Sequence, residues 1–292
     1  MEEKKIYCMK VLVVYHSNDF DGTCSKIIAL RAFPGADTLG FNYGDQIPKN
    51  LGDYDQIVMI DISFPPDIMK EIKGKLLWID HHITAIQDSE KNGYAGVPGI
   101  RKIGEGACEL AWKYLMKSSV PQAVKYLSAY DVFNKERLDW NQDVIPFQYA
   151  LTSRYGLDLP DGVLDMDPQD IVMEGRLILN FLKQEWKKSV EKYGFQVTVG
   201  EEEKLKGICM ITTQRGSLQF DSVFSDYDLF VFGTFDNSGV LRFSLASNEN
   251  RVPEFNCGAY MKKHYNGGGH AGIGGGYMNE EQYTRLIRDK IL

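Results

Sequence analysis

The chain has 292 residues, enough for one large domain or two ordinary ones with a sizeable core. Hydrophobic residues make up 43% and charged residues 25%, the balance of a soluble globular protein, and no apolar run reaches the length of a membrane span. A net charge of −7 argues against a broad basic face for long nucleic acids and favours a small anionic ligand held at a metal or a short loop.

The chain opens "MEEKKIYCMK", with acids where a signal peptide needs a clean basic end. The cysteines, at 8, 24, 108, 209 and 257, are scattered and form no C-x-x-C pair. That speaks against a disulfide framework or a thiolate zinc site and for a reduced, cytoplasmic setting. "KVLVVY" (10–15) is a short β-branched run that reads as a strand, followed by "GTCSKIIALRAF" (22–33) with helical apolar spacing. "DTLGFNY" (37–43), "QIVMID" (56–61) and "KLLWID" (75–80) read as further strands. "PPDIMKEIKG" (65–74), with proline at its start and glycine at its end, is the helix between the last two. Apolar runs without alternation, joined by helices, imply an α/β fold whose parallel sheet is covered on both faces.

From 104 to about 155 the pattern is helical, and "PQDIVMEGRLILNFLKQEWKKSVEKYG" (168–194) reads as a long amphipathic helix bridging two domains. Beyond it "FQVTVG", "KGICMIT", "YDLFVFGTF" and "GVLRFSLAS" alternate with turns, and a glycine-dense segment follows at 266–276. The expected organisation is a parallel-sheet domain over 1–165, a connecting helix over 166–194 and a smaller α/β domain over 195–292.

Three strands end in polar clusters: "HSNDFDG" (16–22), Asp61, and Asp80-His81-His82. Ligands of an open parallel sheet collect at the carboxyl ends of its strands, which places His16, Asp19, Asp21, Asp61, Asp80, His81 and His82 around one crevice. Each has a plain alternative: Asp21-Gly22 as a turn, Asp61 as a helix cap, the histidine pair as a polar strand end. Carboxylates so crowded would raise one another's pKa values unless a cation sat among them, and imidazole with several carboxylates suits Mn²⁺ or Mg²⁺. In the glycine-dense segment the alternatives are a turn before a final strand or a phosphate-approaching backbone with His270 as an added donor. Tyr43, Trp140, Tyr149 and Tyr155 are aromatic candidates for stacking on a base, with none singled out.

These motifs resemble the DHH phosphoesterases. "IDHH" matches their signature, "HSNDFDG" looks like their first motif, "IVMIDISF" their second and "LSAYDVF" (127–133) their fourth. "YNGGGHAGIGGG" (265–276) resembles the Gly-Gly-Gly-His motif of their accessory DHHA1 domain. The resemblance implies metal ligation by His16, Asp19, Asp21, Asp61, His81 and Asp131, with Asp61 shared by two ions. It implies that Asp80 orients a neighbouring histidine and that His82 faces the substrate phosphate as hydrogen-bond or proton donor. Gly268, Gly269 and His270 would hold substrate across an interdomain cleft. The first motif is one residue short between histidine and first acid, which makes Asn18 an alternative ligand. Related proteins often carry an arginine where this chain has Ala246, so Arg242 or Arg251 is the candidate phosphate-gripping replacement. The implied function is hydrolysis of short oligonucleotides or small nucleotide phosphodiesters with two Mn²⁺ ions, Mg²⁺ or Co²⁺ being alternatives. Cyclic or linear dinucleotides, 3′-phosphoadenosine 5′-phosphate, and pyrophosphate or polyphosphate are further substrate candidates, and a non-catalytic nucleotide sensor is the alternative class. No long nucleic acid and no membrane partner is expected, and a homodimer is left open.

Overall fold

The structure, a computed structural model, describes residues 9–200, 204–213 and 216–292. Cys8 and most of the opening segment lie outside them. The chain divides into two compact units, the first ending at Leu179 and the second beginning at Asn180.

In the first unit, β1 (Val11–His16), β2 (Asp37–Phe41), β3 (Gln56–Ile60) and β4 (Leu76–Ile79) form a parallel sheet in the order β2-β1-β3-β4. The α/β class read from the sequence is what the structure shows. Alternate strand residues feed two cores, as expected of a sheet buried on both faces. Val11, Val13, Val58, Ile60, Leu77 and Ile79 pack on one side with α1 (Phe20–Ala32). Leu12, Val14, Ile57, Met59, Leu76 and Trp78 pack on the other with Met69 and Ile72 of α2 (Pro66–Ile72) and Ala85 of α3 (Ile83–Asn92). Helices α4 (Ala107–Ala111), α5 (Gln122–Asp131) and α6 (Ile145–Tyr155) thicken the α1 side. Strand order reverses between β1 and β3, so their carboxyl ends border the crevice where such sheets bind ligands.

Helix α7 (Pro168–Tyr193) begins in the first unit, and the division falls within it. The second unit holds a six-stranded mixed sheet in the order β5-β6-β7-β8-β10-β9. Its strands are β5 (Phe195–Val199), β6 (Leu205–Ile211), β7 (Leu229–Phe235), β8 (Leu241–Ser247), β9 (Gly268–Gly269) and β10 (Ile273–Met278), with α8 (Cys257–His264) and α9 (Glu280–Asp289) between and after them. Among the described residues no helix is long and apolar enough to cross a membrane, and Cys24, Cys108, Cys209 and Cys257 are buried free thiols.

Asp21-Gly22 is not the turn its dipeptide suggests. Both residues lie in the first turn of α1, whose N-cap is Asp19, accepting the Gly22 N–H at 2.9 Å. A Cβ on Gly22 would stand 1.9 Å from the His16 carbonyl oxygen, so glycine is what lets α1 start against the end of β1. Gly22→Ala must push His16 and Asp19 apart. The expected cost is roughly 1–3 kcal/mol, read as a lower urea midpoint, together with weaker metal binding; a wild-type midpoint would contradict this account.

Candidate metal centre

The residues that end β1, β3 and β4 meet those that open α1 and close α5. His16 Nδ1 lies 2.6 Å from Asp19 Oδ2 and 3.7 Å from Asp61 Oδ2. His81 Nε2 lies 3.1 Å from Asp61 Oδ1, 3.2 Å from Asp131 Oδ2 and 3.7 Å from Asp21 Oδ2. Ligand-type atoms of His16, Asp19 and Asp61 form one group within 4.8 Å, those of Asp21, His81 and Asp131 another, and those of Asp61, His81 and His82 a third. Asp61 stands between the first two, one carboxylate oxygen toward each. Asn18, the alternative ligand, is exposed.

Asp61 is held there by an uncommon backbone. Its N–H still bonds to the Ile79 carbonyl at 3.0 Å, so it continues the β3–β4 ladder, but its φ of 65° lies in the left-handed region. The side chain is 1% exposed, and Oδ2 is buried with no hydrogen-bond partner. An orphaned carboxylate oxygen beside imidazoles and further carboxylates is what a divalent cation would satisfy, so the donor set fits Mn²⁺ or Mg²⁺. Asp21 is differently placed: its Oδ2 accepts the Ala107 N–H at 2.6 Å and its Oδ1 the Cys108 N–H at 2.9 Å, which ties the opening of α4 to the site.

Electrostatics say the same. Burial, then the nearby Asp21, pushes the Asp61 pKa well above the carboxylate range. Burial followed by Asp21 and Asp61 does so for Asp131, and burial raises Asp21. The contact with Asp19, then the nearby Asp61 carboxylate, lifts His16 to about 10. Without a cation the cluster therefore holds protons that a cation would displace.

Asp80, fully buried, contrasts with Asp61. Its Oδ1 accepts the N–H groups of His81 and His82 at 2.7 and 3.0 Å, and its Oδ2 accepts Trp78 Nε1–H at 3.1 Å. Oδ1 also lies 2.8 Å from His82 Nδ1, which fixes the Nδ1–H tautomer and leaves Nε2 on the far side of the ring. Burial works against charge on His82, but Asp80 outweighs it and the pKa rises.

In the second unit Gly267, Gly269, Gly274 and Gly276 are pressed against backbone or side chains, whereas a Cβ on Gly268 would meet nothing within 4 Å. Gly268 and Gly269 pair with Gly275 and Gly274. A Cβ on Gly267 would meet the Gly275 carbonyl at 1.9 Å, and one on Gly269, φ 141°, the Ile273 carbonyl at 2.5 Å. The His270 N–H is spent on the Ile273 carbonyl at 2.8 Å, which leaves the exposed imidazole as that residue's donor. Arg242 is not brought to this turn. Ala246 pairs with Ile273, whereas Arg242 lies four residues along β8, about 13 Å away at ~3.3 Å per residue, with Nε 2.7 Å from Asp236 Oδ2. Ala246 itself is buried in apolar surroundings, and Arg251 bonds to Asp228 Oδ1 at 2.7 Å.

No protein-family model and no curated protein matches the sequence. Solved structures do. A pGpG-specific phosphodiesterase, PggH, from Vibrio cholerae superposes with a TM-score of 0.52 at 16% identity, over 96% of this chain and 97% of that one. RecJ from Thermus thermophilus, in complex with Mn²⁺, gives 0.47 at 13% identity, over 96% of this chain and 51% of its own. An uncharacterized protein from Helicobacter pylori gives 0.41 at 13% identity, over 97% of this chain and 99% of that one. At these identities the PggH match establishes a shared fold.

Two outcomes are expected. Mn²⁺ uptake near pH 8 should release protons, His16 supplying one; calorimetry in buffers of different ionisation enthalpy measures the number, and zero would refute the cluster's charge state. In chelator, Asp61→Asn should have a higher Tm than wild type at about pH 7.5. A carboxylate whose folded pKa is raised contributes stability below its unfolded pKa and loses it as pH rises, so the advantage should shrink toward about pH 4. An advantage that grew on acidification would contradict the cause given.

Proposed function

We propose that the first unit is a two-metal phosphodiesterase acting on linear dinucleotides or short oligonucleotides, with Mn²⁺ as the preferred ion. The observation that carries the reading is Asp61, whose two oxygens face two separate imidazole–carboxylate groups. Metal ions held there would supply an activated water and stabilise the attacking and leaving oxygens of an in-line displacement. His16, Asp19 and Asp61 would hold one ion, and Asp61, His81, Asp21 and Asp131 the other.

The chain's own residues do the rest. Asp80 keeps the proton of His82 on Nδ1 and favours the imidazolium, so Nε2–H is available to a phosphate oxygen or to the leaving alkoxide. The short span of the cluster, in a chain of net charge −7, favours a small substrate over a long strand. The pGpG-specific activity of the Vibrio cholerae protein of like fold makes a linear dinucleotide the first substrate to try. We assign His270, with Gly268 and Gly269, to substrate binding, and keep Arg242, whose Nε lies 2.7 Å from Asp236 Oδ2, as a further candidate.

The test is hydrolysis of a linear dinucleotide with Mn²⁺ and after exhaustive chelation. Turnover should require the ion and vanish in Asp61→Ala. His82→Ala should keep Mn²⁺ affinity within a few fold while kcat falls roughly 10²- to 10⁴-fold, the usual worth of a positioned acid. Full activity in chelator, or in Asp61→Ala, would refute the reading.

A further inference from the structure

The hydrolytic reading uses Asp131 but not the turn that follows it. Helix α5 ends in a left-handed reversal: the Phe133 N–H bonds to the Tyr130 carbonyl at 3.2 Å, and the Asn134 N–H to the Ala129 carbonyl at 2.9 Å. Residue 133 therefore occupies the helix-end position where glycine is the usual choice, with φ 52°. This chain puts a phenylalanine there, and leaves it 58% exposed.

Its ring is not alone. Ring centroids of Phe133 and Tyr130 are 6.3 Å apart, those of Phe133 and Trp140 6.1 Å, and those of Tyr130 and Trp140 5.7 Å with planes 9° apart. Tyr130 and Trp140 pack on the core of the α1 side, and Phe133, its plane 27° from that of Tyr130 and 35° from that of Trp140, is the most exposed ring of the three. The loop that carries it is pinned. Arg137 grips both oxygens of the fully buried Glu109 at 2.6 and 2.7 Å, and Asp139 caps the turn that begins at Trp140. Water-exposed aromatic surface on a strained, anchored turn has no folding rationale. It starts one residue from Asp131, whose carboxylate is 3.2 Å from His81 Nε2.

We infer that Phe133, Tyr130 and Trp140 form a stacking subsite for a nucleobase of the substrate, on the Asp131 side of the metal centre; this rests on the phosphodiesterase reading. Any base has a π face, so the subsite favours nucleosides over base-free phosphoesters without choosing among bases. A phosphate held at the cluster then has its own nucleoside anchored beside it, which selects dinucleotides against pyrophosphate.

The experiment compares kcat/KM for a linear dinucleotide and for the same diester lacking its bases, in wild type, Phe133→Leu and Phe133→Gly. The ratio of the two should fall roughly ten- to a hundredfold in both variants, mainly through KM. Phe133→Gly, which supplies the residue that the turn ordinarily prefers, should keep a Tm at or above wild type, so loss of folding cannot explain its defect. An unchanged ratio, or an equal loss on both substrates, overturns the subsite and leaves the hydrolase standing. Quenching of Trp140 fluorescence by the dinucleotide in His82→Ala separates the two claims. Quenching that Phe133→Leu abolishes, where wild type with Mn²⁺ never turns the dinucleotide over, supports the subsite and removes the hydrolase; absence of both quenching and wild-type turnover overturns both.

Discussion

Everything at the end of the parallel sheet depends on how Asp61 is held. A buried carboxylate beside other carboxylates is among the most costly groups a fold can carry, because Coulomb repulsion and desolvation both act against its charge. The chain commits to it by bending one residue at the end of β3 into the left-handed region while that residue's N–H still belongs to the ladder. The apolar strands around it make the bend tolerable: Ile57, Val58, Met59 and Ile60 are completely buried and leave the strand little freedom to slide. The carboxylate is thereby fixed with His16 on one side and His81 on the other.

Asp61 and Asp80 show how the same side chain takes two roles from two surroundings. They end neighbouring strands and are both buried. Asp80 accepts from backbone and indole N–H donors on both oxygens, which makes it a fixed orienting group for His82. Asp61 has one oxygen without a donor. The first arrangement is complete without a ligand, and the second is not.

Much of this was legible beforehand. β1, β3 and β4 announced themselves as unbroken apolar runs, and the polar residues ending them had to meet because parallel strands point their carboxyl ends the same way. What could not be read was contact across long separations. Nothing near Asp21 reveals that Ala107 and Cys108 donate to it, so Asp21-Gly22 looks as much like a turn as like a helix start. Glu109 and Arg137 are equally silent in a sequence rich in charges. The glycine-dense segment misleads in another way. Composition cannot separate a backbone bared to a phosphate from one pressed against its neighbours, and here Gly267, Gly269 and Gly274 are pressed. Arg242 is close in sequence to Ala246, yet the rise of the strand sets it well along β8, beside Asp236.

Backbone conformation points back to the same end of the first unit. Among the described residues, Asp61, Lys117, Phe133, Asn266 and Lys290 are the non-glycines with left-handed φ. Lys117 and Lys290 close helical segments as caps, and asparagine adopts this region more readily than most residues. Phe133 also closes a helix and aspartate visits this region more readily than most residues, so what sets these two apart is their setting. One belongs to a strand end and is buried; the other is a large ring where glycine would serve the helix better. Local strain is kept where the surrounding structure over-determines it, and here the β3–β4 ladder and the Arg137–Glu109 anchor do so. Both residues flank Asp131 and His81, one in space and one in sequence, so the strain marks one site with a charged half and an aromatic half.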